Sequence, residues 1–154
     1  MGNKKLRLHK TKYTARLLIK NENDEYLFLK RKSKKKYELP GGQVDKKDCE
    51  NPKHPTIDDF LNAAIREAKE EVGDILFEIP GNLTNIKYKR KNGKSKTEYF
   101  FETKLISGTA KINEPNNFKK IKWISEGDLF YGKRKISINT KIALEKKIRR
   151  YQTA

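Results

Sequence analysis

Hydrophobic positions along the chain follow two rhythms. Residues 13–21, YTARLLIKN, alternate in part and favour β structure, and Asn21 to Asp24 break the pattern with a polar turn. Residues 25–31, EYLFLKR, set Tyr26 and Phe28 against Leu27 and Leu29, as in a strand buried on both faces. Together these predict a hairpin. From Thr56 the rhythm becomes helical, with Leu61, Ala64, Ile65, Ala68 and Val72 on one stripe. Thr56-x-x-Asp59 is a capping-box variant, Pro55 is placed to staple against Phe60, and Gly73 ends the helix. Extended segments are predicted at 75–79, 84–91, 97–106 and 119–124. The middle pair flanks Asn92-Gly93, a hairpin signal inside a polar stretch too long for a two-residue loop. Residues 43–55 read as polar and irregular. A last helix over 139–151 places Leu144, Ile148 and Tyr151 on one face, with Asn139 as its cap. Strands interleaved with two helices predict an α/β domain, and the absence of a repeat or linker predicts one domain over residues 1–154.

Composition narrows the class. The chain has 154 residues, the size of one ordinary domain, and its 34% hydrophobic content suffices for one core. Lys and Arg number 37 against 20 Asp and Glu, a net charge of +17, but recurrent Ile, Leu and Phe argue against a disordered polybasic chain. Cys49 is the single cysteine, which excludes an intramolecular disulfide framework and a multi-cysteine zinc site. The longest apolar run, Tyr26 to Leu29, is four residues and spans no membrane. The opening MGNKKLRLHK lacks the apolar segment of a signal peptide, and Leu6 stands where a myristoylation signal needs Ser or Thr. A soluble cytoplasmic protein is expected. Basic clusters at 30–36, 87–96, 119–122 and 133–150 favour encounter with anions such as nucleotides or RNA, and serve solubility equally well. No zinc-finger, bZIP or RNP pattern points to base-specific reading.

Chemistry concentrates in residues 63–73, AAIREAKEEVG. At ~100° per residue, Glu67, Glu70 and Glu71 lie within about 100° of one another, with Glu71 bordering the apolar stripe and Glu70 nearly opposite it. Glu67 and Glu71 are like charges four apart, which costs an isolated helix roughly 0.2–0.5 kcal/mol, and Arg66 can offset part of this through Glu70. Three carboxylates on one side suit a hard cation such as Mg²⁺ shared with substrate phosphates. A solvated acidic face shows the same periodicity, so both readings stand on spacing alone.

The segment resembles the Nudix box, GX5EX7REUXEEXGU with U aliphatic. Arg66, Glu67, Glu70, Glu71 and Gly73 fill its second half at the required spacing, with Ala68 at the first U. Leu39-Pro40-Gly41-Gly42 resembles the LPGG lead-in, and Trp123-Ile124 followed by Asp128-Leu129 resembles a late-strand pattern of the family. Two positions depart. Asp74 replaces the final U, and Gly42 to the acid eight before Arg66, Asp58, spans sixteen positions instead of six, an insertion of ten residues. Asp48 keeps the ungapped distance from Gly42, but the capped helix ties the register to Arg66 and favours Asp58 as the box acid.

The resemblance implies an α/β/α sandwich around a mixed sheet and a Mg²⁺-dependent hydrolase, with Mn²⁺ an alternative ion. The substrate would be nucleoside diphosphate-linked: a nucleoside triphosphate, a dinucleoside polyphosphate or a nucleotide sugar. It makes Glu67, Glu70 and Glu71 the metal ligands, with Glu67 close to the proton-accepting role, and Arg66 their orienting partner. Gly41 and Gly42 become substrate contacts; Arg31 and Lys32, just before that lead-in, read equally as phosphate contacts or as a solvated basic loop. Glu114 is the candidate further acid, with Glu98 and Glu102 as competitors. Tyr37, Tyr99 and Phe101 are candidates for base stacking or for the core, Trp123 for the core. His9 and His54 have no ligand spacing, and Cys49 no partner base. Two other functions stay open: hydrolysis at the 5′ end of RNA, motivated by the charge, and a non-catalytic nucleotide-binding module, motivated by the insertion and Asp58.

Overall fold

A computed structural model describes residues 10–132 and 135–152, so His9 lies outside the described residues, as does the side chain of Tyr151. Strand β1 (Lys10–Lys20) turns into β2 (Glu25–Arg31), followed by short β3 (Tyr37–Glu38) and by β4 (Gly41–Asp45). A single 3₁₀ turn over Lys46–Asp48 leads towards helix α1 (Ile57–Val72). Then come β5 (Leu76–Phe77), β6 (Gly81–Lys89), β7 (Ser95–Ser107), β8 (Phe118–Ser125), the short helix α2 (Glu126–Tyr131) and α3 (Ile138–Gln152). The order β3-β2-β1-β7-β5 forms the spine of a mixed sheet, with β4 on β1, β6 on β7 and β8 on β2. Only β1 and β7 pair parallel among the described strands, Tyr13 to Lys20 lying against Thr97 to Lys104.

Because strand side chains alternate, β1 feeds two cores. Ala15, Leu17 and Ile19 point with Leu27, Leu29 and Phe101 towards α1, where Phe60, Ala63, Ala64 and Ala68 cover them. Leu18 points the other way with Tyr26, Phe28 and Phe100, and Ala143 and Leu144 of α3 cover that face. The double burial predicted for β2 holds, since Tyr26 to Leu29 are all fully buried. This is the α/β/α sandwich around a mixed sheet. No helix among the described residues is long and apolar enough to cross a membrane.

Several boundaries correct the sequence reading. Residues 43–45 are strand, not irregular chain, because β4 pairs with β1. The β6–β7 hairpin closes over Arg90 to Lys94, with Gly93 at φ 80°. Asn139 is not the cap of α3: the Thr140 N–H donates to Ser137 Oγ at 3.2 Å, leaving Asn139 inside the helix. α2 is too short to produce a periodicity, although Ser125 caps it through the Asp128 N–H.

Candidate active site

Helix α1 begins as its sequence demands. Thr56 Oγ1 accepts from the Asp59 N–H and Asp59 Oδ2 accepts from the Thr56 N–H, a complete capping box. The other Asp59 oxygen accepts from the Glu50 N–H at 3.3 Å, which fastens the inserted loop to the helix start. At the far end Gly73 takes φ 83° and stops the helix. The buried face of α1 centres on Phe60, Ala64 and Ala68, slightly rotated from the predicted stripe. At ~100° per residue this puts Glu67 and Glu71 within about 20° of Phe60. Both carboxylates therefore reach inward beneath β4, and Glu71 is 2% exposed.

The glycines of the lead-in make room for them. Gly41 sits at φ 136°, and a Cβ there would lie 2.2 Å from the Ala15 carbonyl oxygen of the paired strand. Its N–H donates to Glu71 Oε1 at 2.8 Å. A Cβ on Gly42 would come within 3.0 Å of the Glu67 carboxyl. Arg16 on β1 ties down the same loop. Its Nη1 donates to the Leu39 carbonyl at 3.0 Å, and its Nε donates to Glu98 Oε2 at 3.0 Å. Glu98 is completed by Asn139 Nδ2 from α3 at 3.1 Å. Burial works against the Arg16 charge, but Glu98, Glu38 and Glu71 outweigh it and hold the guanidinium above its ordinary range.

Arg66 gathers the remaining acids. Its Nη1 donates to Glu67 at 3.3 Å and to Glu70 at 3.2 Å. Its Nε and Nη2 donate to the two oxygens of Asp48 at 2.8 and 2.7 Å, a bidentate pair. Asp48, at the ungapped distance from Gly42, therefore fills the acid position of the box, and Asp58 is exposed on the first turn of α1. The ten extra residues lie after this acid, not before it. The β4 strand and its 3₁₀ turn deliver Asp48 to Arg66 through space, so helical register with Arg66 is not required.

Glu114 reaches the site through the end of α1. The Asn113 N–H and side chain donate to the Glu71 and Glu70 carbonyls at 2.9 and 3.1 Å, and the Lys111 N–H donates to Val72 at 3.0 Å. These bonds cap the helix and deliver the next residue, Glu114, to the cleft. Glu98 is committed to Arg16 instead, and Glu102 lines a separate small cavity with Lys147. Tyr99 stacks on Phe60 with centroids 4.3 Å apart, Phe101 is buried, and Tyr37 packs in the second core, so none of the three faces the cleft.

The cleft has a volume of about 740 Å³. Glu67, Glu70, Glu71 and Glu114 line it together with Gly41 and Gly42, and Arg31, Lys34, Lys47, Arg90 and Lys96 supply positive charge. Arg31 is held by Glu38 at 2.9 Å and lies over the Phe118 ring at 4.8 Å. Burial, against the pull of the Gly41 N–H and Arg16 and aided by repulsion from Glu67 and Glu38, pushes the Glu71 carboxyl up to about 8. Burial also raises Glu67; Arg66 offsets part of this, and Glu70 and Glu114 add to it. Desolvated, mutually repelling carboxylates of this kind favour a cation among them. Among the described residues no three acidic, His or Cys side chains converge closely enough to hold an ion as they stand. Arg66 draws Glu67 and Glu70 to itself, and Gly41 holds Glu71. The donor set is all oxygen, and Arg66 takes only one oxygen each of Glu67 and Glu70, so the set suits a hard divalent cation.

Arg16, Gln43 and Tyr88 carry no motif signal in the sequence and reach the cleft through strand pairing; Arg90 and Lys96 belong to the basic stretch 87–96, and Asp48, at its ungapped distance from Gly42, acts through Arg66.

The NUDIX domain model matches residues 10–143, and the chain belongs to that family. It is a hydrolase acting on phosphoanhydride bonds, and members of the family generally use a divalent metal. Similar solved structures include a MutT NUDIX hydrolase from Burkholderia pseudomallei, at 25% identity and TM-score 0.68, covering 87% of this chain and 95% of that one. The MutT protein from Methanosarcina mazei Go1 is 20% identical at TM-score 0.67, over 90% and 94% of the two chains. A C. elegans Ap4A hydrolase in a binary complex is 22% identical at TM-score 0.61, over 92% and 98%. Comparison with curated proteins gives no match.

Proposed function

We propose that the cleft hydrolyses a phosphoanhydride of a nucleoside diphosphate-linked substrate, such as a nucleoside triphosphate, a dinucleoside polyphosphate or a nucleotide sugar. Mg²⁺, or Mn²⁺ in its place, would be held by Glu67, Glu70 and Glu71 with help from Glu114. The observation that carries this is one cleft with four carboxylates on α1 and its capping segment, and seven cations around them, Arg16 and Arg66 among them. A divalent ion bound there supplies charge neutralisation for the diphosphate and makes a coordinated water more acidic.

The chain's own residues do the rest. Arg31, Lys34 and Arg90 meet the phosphate oxygens and hold the diphosphate in line for attack. The bare backbone of Gly41 and Gly42 lets it approach the α1 carboxylates. Glu67, against which Gly42 packs, is placed to take the proton of the attacking water. The water oxygen bonds to phosphorus, the bridging P–O bond breaks, and the leaving phosphate keeps the electron pair. Arg66 positions Glu67 and Glu70, and Asp48 fixes Arg66. The bidentate Asp48–Arg66 pair weighs against a non-catalytic module, because it supplies the box acid that Asp58 does not, and the inserted loop is then the one remaining motive for that reading.

A substrate panel with Mg²⁺ and identification of products tests the proposal, because the products reveal which phosphorus is attacked. Glu71→Gln should lower kcat by at least about 10²-fold, the scale of losing one transition-state contact, while circular dichroism stays native. Wild-type turnover in that variant would refute the assignment.

A further inference from the structure

The turn from Leu39 to Gly41 has little in its own backbone to hold it. Pro40 has no N–H to donate, and Gly41, at φ 136°, lacks the side chain that would restrict it. Strand β1 holds the turn instead. Three consecutive carbonyls are bonded there. Leu39 accepts from Arg16 Nη1 at 3.0 Å, Pro40 accepts from the Leu17 N–H at 2.9 Å, and Gly41 accepts from Arg16 Nη1 at 3.5 Å. Within one trans peptide the C=O and N–H point in opposite directions, so the bond from Leu17 to Pro40 turns the Gly41 N–H away from β1. That N–H meets Glu71 Oε1 at 2.8 Å. Its aim, and with it the seat of a buried carboxylate, depends on Arg16 keeping the turn on β1.

Arg16 is held in turn. Its Nε donates to Glu98 Oε2 at 3.0 Å, and Glu98 Oε1 accepts from Asn139 Nδ2 of α3 at 3.1 Å. Glu98 is 8% exposed, and neither it nor Asn139 lines the cleft. Both carboxylate oxygens are committed, one to the guanidinium and one to the amide that steadies it. A buried network satisfied in this way fixes a geometry. Arg16 itself borders the cleft, yet its Nε and Nη1 serve protein acceptors. We infer that Arg16 and Glu98 are positioning residues for the hydrolysis: Asn139 fixes Glu98, Glu98 fixes Arg16, and Arg16 fixes the peptide that sets Glu71. The inference rests on the proposed function and adds residues that act on it without touching the substrate.

The test uses the full chain and two readouts. Hydrogen exchange of the Gly41 amide, followed by NMR, reports the turn without substrate or metal. Steady-state kinetics with Mg²⁺ use ATP, Ap4A and UDP-glucose, one probe for each kind of substrate. Glu98→Ala should speed Gly41 exchange about tenfold and lower kcat about tenfold, with KM within about twofold of wild type. Glu98→Gln should recover most of both, because its carbonyl still accepts from Arg16 and Asn139, with its amide turned over, accepts from the new NH₂. Asn139→Ala, outside the cleft, should shift exchange and kcat in the same direction by about threefold. Circular dichroism should stay native throughout. Unchanged Gly41 exchange in Glu98→Ala, or a raised KM with kcat retained, would overturn the relay. So would a loss in Glu98→Gln equal to that in Glu98→Ala. Should Glu98→Ala fail to fold, Asn139→Ala decides, and wild-type exchange and kcat in that variant overturn the relay. Faster Gly41 exchange in the variants, with no hydrolysis of any probe by the wild type, would uphold the relay to Glu71 and refute the catalytic reading.

Discussion

At the scale of single residues, adjacent glycines do different work. Gly41 combines a positive φ with a Cβ position inside the neighbouring strand's backbone. Gly41→Ala should therefore cost at least about 2 kcal/mol and lower Tm markedly in thermal melts. A Cβ on Gly42 meets only the tip of Glu67. Gly42→Ala should leave Tm within a few degrees of wild type and lower kcat instead, by displacing that carboxylate; a large Tm loss with normal kcat would contradict this. The motif letters showed that glycine belongs at both positions. They did not show which glycine protects the fold and which the carboxylate, because that depends on a paired strand and a helix that are both distant in sequence.

Among elements, α1 is the most legible, since its cap, stripe and stop all arise from local hydrogen bonding and 3.6-residue periodicity. Thr56→Ala should cost about 1 kcal/mol in denaturant unfolding, the usual loss of an N-cap. The junction between α1 and β4 was not legible in the same way. The capped helix pointed to Asp58, whereas the pairing of β4 on β1 brings Asp48 to Arg66. Asp48→Asn should lower stability by roughly 1.5–3 kcal/mol at neutral pH and reduce kcat, while Asp58→Asn should do neither. The pH dependence follows from the sign of the shift. Burial raises the Asp48 carboxyl, but Arg66 and the Asp45 N–H outweigh it and hold it below its ordinary 3.8. Its stabilisation is complete above that value and is lost as pH falls through the lower folded value. The Tm gap between wild type and Asp48→Asn should thus be widest near pH 7 and close as pH falls below the ordinary carboxylate range. A gap that persists in acid would show that the pair is not the cause.

Over the whole molecule, a net charge of +17 on 154 residues means self-repulsion that compact folding intensifies. Raising NaCl from about 0.05 to 0.3 M should increase Tm, because screening relieves that repulsion more than it weakens a few exposed ion pairs. A falling Tm would show that attractive pairs dominate. The two cores are another whole-molecule property. Both derive from alternation within β1, β2 and β7, yet only the packing of α3 shows why Phe100 and Phe101, adjacent in sequence, serve opposite layers. The same packing reaches the site, since Asn139 of α3 holds Glu98, which holds Arg16, which holds the Leu39–Gly41 loop.

The amino-acid sequence by itself determined the helix that carries Arg66, Glu67, Glu70 and Glu71, the strands around it and the resemblance that implied the sandwich. All of these depend on contacts a few residues apart or on a fixed spacing. Only the tertiary structure decided that Asp48 braces Arg66 and that Glu114 and not Glu98 joins the cleft. Those pairings join residues 18 to more than 40 positions apart, and such distances are bridged by strand register and helix capping, which no local pattern records.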